Sequence, residues 1–106
     1  MDTSKLNFAY LVTVSDIRTA VTISKVGTDN TRQTMSNIGF QSEEEAREYF
    51  NERVKSHDET LSSSAFKLLN KYSTKDWVVF TFMSEENEAY QYQRIIEITR
   101  LPFKSI

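Results

Sequence analysis

The sequence predicts an α+β fold, an antiparallel sheet of four to five strands with two helices packed on one face, in the order β-β-(β)-α-α-β-β. Three stretches carry that prediction: an alternating run near the N-terminus, a capped amphipathic helix that begins at Ser42, and two β-rich runs over residues 77–99 that read as a hairpin. Residues 1–106 form a single domain, long enough to bury roughly two-thirds of the surface of the unfolded chain. Two glycines and one proline leave no flexible linker between parts.

In the first run Leu6, Phe8, Tyr10, Val12 and Val14 share one parity, and Asn7, Ala9, Thr13 and Ser15 share the other. A period of two over this length is a strand with one apolar face. Ser15-Asp16 is a turn candidate because both side chains can bond nearby backbone amides. Residues 18–26, with Val21 and Ile23, then read as the returning strand, and Gly27-Thr28-Asp29-Asn30 as a second turn. Over residues 31–40 the signal weakens, and Met35, Ile38 and Phe40 leave a third strand open.

Ser42-Glu43-Glu44-Glu45 has the form of a capping box, with the serine hydroxyl placed to accept from the third amide and three carboxylates near the positive end of the helix dipole. Ala46, Tyr49, Phe50 and Val54 make the apolar stripe of this helix. A second stripe, Leu61, Ala65, Leu68, Leu69 and Tyr72, has helical spacing too. One unbroken helix over both would run ~46 Å at 1.5 Å per residue, whereas a compact domain of this length has a radius of gyration of ~13 Å. The expectation is therefore two helices with a break at Ser56-His57-Asp58.

In the hairpin, Trp77 to Met83 are almost all apolar or β-branched, the composition of a strand covered on both faces. Trp77 is expected to pack between hairpin and helix. In the second run Tyr90, Tyr92, Ile96 and Ile98 take one parity and Gln91, Gln93 and Glu97 the other, with Ile95 the exception. The polar run from Ser84 to Glu88 predicts a four- or five-residue loop, and Pro102, which has no amide hydrogen, predicts that pairing stops near Arg100.

The absence of cysteine removes disulfides, thiolate metal sites and a cysteine nucleophile. His57, Asp58 and Ser62 to Ser64 contain the residue types of a hydrolytic triad, but they crowd into adjacent helical turns with no glycine-rich elbow, so the reading is a helix junction rather than a catalytic site. Neither glycine lies in a phosphate-cradling pattern, and one histidine cannot build a closed zinc site. The expectation is no enzyme, no metal and no cofactor.

Fifteen acidic against thirteen basic side chains give no basic field, which argues against duplex DNA as partner. No apolar run approaches a membrane span, and the N-terminus lacks the apolar core of a signal peptide, so the expected setting is soluble and cytoplasmic. The leading functional expectation is a small acidic binding protein acting through protein–protein contacts, an adaptor or an inhibitor. Chains of this kind are common among proteins encoded by viruses and mobile elements, which is an association and not a derivation. Its candidate contact residues are Glu85, Glu86 and Glu88, a negative patch for a basic partner, with Gln91 and Gln93 on the wet face of the last strand. A free sheet edge is the route to a homo-oligomer. The alternative is a single-stranded nucleic-acid module using Tyr90, Tyr92 and Arg94 as a stacking face, although an aromatic row continued by Ile96 and Ile98 is more often core.

Overall fold

The alternation that begins at Leu6 does not stop at Ser15. In the computed structural model, which describes residues 6–20, 30–84 and 87–104, it continues as one strand, β1 (Leu6–Ala20). After it come β2 (Asn30–Phe40), α1 (Glu43–Leu61), β3 (Phe66–Ser73), β4 (Trp77–Ser84) and β5 (Asn87–Lys104). The expected turn at Ser15-Asp16 is absent because both residues pair across the sheet, Asp16 with Gln33 on one side and Arg94 on the other. Local chemistry favours a turn there; two neighbouring strands override it. Residues 18–20 belong to β1 itself. The remainder of the expected returning strand and the Gly27 turn lie outside the described residues.

The strands make one antiparallel sheet in the order β2-β1-β5-β4-β3. The sheet therefore has the five strands allowed for, and the third-strand option over residues 31–40 is realised as β2. Among the described residues there is one helix, not two, and the element order is β-β-α-β-β-β. The sheet is centred on β5, which pairs with β1 from Leu6 opposite Lys104 to Ala20 opposite Tyr90 and with β4 along its first half.

The helix starts where the capping box puts it: Ser42 has extended backbone and its hydroxyl accepts from the Glu45 amide at 3.3 Å. It passes through His57 without a break. The buried stripe explains why, since Ala46, Phe50, Val54, His57 and Leu61 succeed one another at three- and four-residue steps and hold a single face on the sheet. The chain leaves the helix at the serine triplet. Ser62 caps it by donating to Asp58 and Thr60 carbonyls, the Ser63 hydroxyl bonds the Thr60 carbonyl at 2.8 Å, and the Phe66 amide bonds Ser63.

Beyond the serine triplet the chain enters β3, not a second helix. Phe66 and Leu68 alternate inward onto the core, and the register against β4 slips between Leu68 and Asn70. Leu69 is the extra residue of that bulge, and its insertion is what gives the segment a spurious helical period in the sequence.

Val12, Val14, Val78, Phe80, Phe82 and Ile96 point to the helix and are buried with Ala46, Phe50 and Leu61. The β4–β5 hairpin is present, with Trp77 opposite Glu97. Its connection is shorter than expected, since Ser84 pairs with Asn87 and leaves only residues 85 and 86 between. Pairing of β5 also runs past Pro102, which lies opposite Phe8. Beyond Trp77 only β1 flanks β5, and a strand with one unpaired side accommodates a residue that cannot donate. Trp77 does not pack under the helix. Its parity is that of Val79 and Thr81, which places it on the opposite side of the sheet at 36% exposure.

Phe80→Ala should lower stability by ~3–5 kcal/mol in urea melts, because Phe80 is fully buried at the centre of the helix-covered face. Trp77→Ala should cost well under half of that, and Ser42→Ala ~0.5–2 kcal/mol through the lost cap. Equal losses at Phe80 and Trp77 would contradict the two-layer arrangement.

Candidate interaction surface

Because side chains alternate along every strand, each residue that points away from α1 joins a second sheet face. No described element covers that face. Leu11, Ile17, Val79, Met83, Ile95 and Trp77 supply its apolar surface, with Thr13, Thr81, Gln91 and Gln93 between them. Of the described residues on this face only Arg32, Glu97 and Lys67 carry a charge at neutral pH, and Arg32 and Glu97 approach each other at 4.0 Å. The Arg32 guanidinium also donates to the Ser15 hydroxyl at 3.4 Å, and the Thr13 hydroxyl donates to the Asn37 side-chain oxygen at 3.1 Å.

At the β3–β4 end of the face Tyr72 and Trp77 stack, ring centroids 5.1 Å apart and planes 27° from parallel. Beside them lies a shallow depression of 370 Å³ lined by Asn70, Tyr72, Trp77, Val79, Thr81 and Gln93. Two stacked aromatic rings on neighbouring strands, beside amide and hydroxyl groups, can contact planar or extended apolar groups while satisfying a few hydrogen bonds. Gln93, a residue expected at a contact surface from its parity alone, lies in the lining. Gln91 points to the same face. The sequence could have revealed the aromatic pair only if the segment from Phe66 to Ser73 had been read as a strand, since Tyr72 and Trp77 are brought together by β3–β4 pairing. Of the acidic patch, residues 85 and 86 lie outside the described residues, as does the side chain of Glu88.

On the helix side the tyrosine row has a different setting. Tyr92 stacks on Phe82, centroids 5.4 Å apart at 15°, and Arg94 is 14% exposed beneath α1. Its guanidinium grips the Asp16 carboxylate with two bonds, Nε to Oδ1 at 2.8 Å and Nη2 to Oδ2 at 2.9 Å. Nη1 donates to Nδ1 of His57 at 3.1 Å. The donor is a permanent cation, so His57 accepts as a neutral ring with its proton on Nε2. Burial first, and then the positive charges of Arg94 and Arg53, lower the His57 pKa, with Asp16 acting weakly in the other direction.

This cluster was hidden by reading Asp16 as a turn and His57 as a junction. The signal for it is nonetheless in the sequence: Asp16 continues the inward parity of Val12 and Val14, Arg94 that of Ile96, and His57 the helix stripe. Opposite charges at inward positions must pair to be tolerated. Asp58 bonds Lys71 at 3.2 Å, so the triad residue types form no relay. Among the described residues no three histidine, aspartate or glutamate side chains gather where they could hold a metal ion, and no helix is long and apolar enough to cross a membrane.

Asp16→Asn should cost ~3 kcal/mol in stability, because it leaves Arg94 charged and unpaired in a largely buried position. The histidine should make stability fall in mild acid. With its pKa below the ordinary value of 6.5, the unfolded chain takes up the proton first, so the contribution is complete above that value and is lost as the pH drops through it. Urea midpoints measured down the pH scale should show this component in the natural chain and lack it in His57→Gln. No protein-family model matches the chain, and the comparisons with curated proteins and with solved structures found no match.

Proposed function

We propose that the chain is a non-enzymatic binding protein, an adaptor or inhibitor, that works by protein–protein contact through the uncovered face of its sheet. The observation that carries this reading is the stacked Tyr72–Trp77 pair beside the Gln93 depression. Solvent-exposed tryptophan and tyrosine on a rigid, nearly uncharged surface are the composition of interface anchors. Larger contiguous apolar patches are rare on surfaces that stay in water. The single histidine is engaged by an arginine rather than by a nucleophile or a carboxylate, which supports a role in packing rather than in proton transfer.

Single-stranded nucleic acid is the competing class of partner. Arg94 supports it poorly, since its charge is already neutralised by Asp16. The exposed helix surface with Glu44, Glu48 and Glu52 opposes a phosphate backbone as well.

The two readings separate in a capture experiment with the purified chain on beads and a native lysate. The natural chain should retain protein that survives nuclease treatment and depends only weakly on salt, and Gln93→Lys or Tyr72→Ser, folded by circular dichroism, should lose most of it. Retention unchanged by both substitutions overturns the face as the contact surface. Retained material that nuclease releases, with binding that falls steeply as salt rises, overturns the protein-contact reading in favour of nucleic acid.

A further inference from the structure

We propose that a second copy of this chain packs against the uncovered face, sheet on sheet about a two-fold axis, giving a dimer of four layers with the helices outermost. The inference rests on the reading of that face as a contact surface and names its occupant.

Its first support is the shape of the single chain. The molecule measures 63 × 29 × 19 Å with a radius of gyration of 17.2 Å, whereas a compact chain of this length has a radius of about 13 Å. The thin dimension is that of one helix layer on one sheet. Its accessible surface is 7282 Å², whereas a compact monomer of its mass exposes roughly 6,100 Å². The excess is on the order of 1,000 Å², comparable with the roughly 800 Å² that each partner contributes to a standard stable interface.

The face itself supplies most of the area of such a contact. Five strands spaced ~4.8 Å apart make it ~24 Å wide, and the eight residues of β4 run ~26 Å along it. That is ~600 Å² before side-chain relief is counted. Two such faces pack ~10 Å apart with their strands aligned, the arrangement of a β-sandwich.

Charge supports a second copy as the occupant. The face is close to neutral, so it repels no copy of itself, and a partner selected by a charged surface would find little to pair with. The outward side of α1 is the reverse: Glu43, Glu44, Glu45, Glu48, Glu52 and Glu59 are exposed there, and two such surfaces repel. A self-complementary contact through the sheet therefore keeps the acidic helices farthest apart.

The sheet edges are poor alternatives. β2 slips register between the residues opposite Val14 and Ser15, leaving Met35 as an extra residue, and β3 carries the Leu69 bulge. A bulge on each outer strand interrupts the row of free backbone groups on which another chain would have to pair. The oligomer expected through a sheet edge gives way to one through the face.

Sedimentation velocity of the purified chain from about 1 µM to about 1 mM, a range that spans moderate and weak affinities, tests the proposal. The expected result is a shift from monomer to dimer mass, with Trp77 emission moving to shorter wavelength as the ring loses water. Ile95 is on the central strand, so Ile95→Lys should hold the chain at monomer mass with its circular dichroism unchanged. Gln93→Lys, exposed on the same strand, repeats the test should Ile95→Lys fail to fold. Met35→Lys, on the β2 edge, should leave the dimer intact. A natural chain that stays monomeric throughout overturns the proposal, and so does a dimer that survives both face substitutions or is lost with Met35→Lys. If the chain is monomeric while Gln93→Lys still abolishes capture of a lysate protein, the face remains a contact surface and only the second copy is removed. If neither changes, both fall.

Discussion

The structure depends on the antiparallel pairing of β1 with β5, the first and last strands of the chain. Fifteen residue pairs in unbroken register, from Leu6 opposite Lys104 to Ala20 opposite Tyr90, join segments at opposite ends of the sequence. Without that ladder β1 and β2 would be a separate two-stranded ribbon, and the β3–β4–β5 meander a separate three-stranded one. Closing so long a loop costs entropy before any contact offsets it. The contribution that outweighs it comes where the two strands meet the helix, with Val12 and Val14 beside Ile98 and Ile96 under Ala46, Phe50 and Leu61.

Within this ladder the Asp16–Arg94 pair occupies two positions that the pattern of neighbouring residues reserves for apolar side chains. An ion pair there adds little net stability compared with two well-packed aliphatic residues, since both charges give up water. Its geometric demands are stricter. A slip of one residue between β1 and β5 would put Asp16 on the open face and strand Arg94 under the helix beside His57. The bidentate grip therefore penalises wrong register, in a sheet whose long strands offer many alternatives.

One helix cannot cover five strands. A helix is about 10 Å across and the sheet more than twice as wide, so α1 seals the inner face only along its centre, and no described element covers the outer face. The outer face combines an aromatic pair, aliphatic residues and uncharged amides, with its few ionisable groups set towards one another or at the margin. Its composition is intermediate between that of a core and that of a wet surface.

Sequence alone determined those features that rest on near neighbours in the chain. The period-two runs of β1 and β5, the Ser42 cap, the stripe of α1 and the hairpin after Trp77 all derive from local sterics and amphipathic spacing, and each is present in the structure. The parity of Gln91 and Gln93 also placed them on a face away from the core. Tertiary structure decided where local signals were ambiguous or misleading. Asp16 has the chemistry of a turn former, but Arg94, far along the chain, makes it part of a strand. Leu68, Leu69 and Tyr72 have helical spacing, but pairing with β4 and one inserted residue make them a bulged edge strand. Trp77 has the composition of a core residue, but which face receives the helix depends on the parity of Phe80 and Phe82 against α1, and that choice left Trp77 outside. For Asp16 and Trp77 the deciding partner is remote in sequence; for β3 it is β4, a short turn away, but the pairing and its bulge are set across the two strands and not by spacing along one segment.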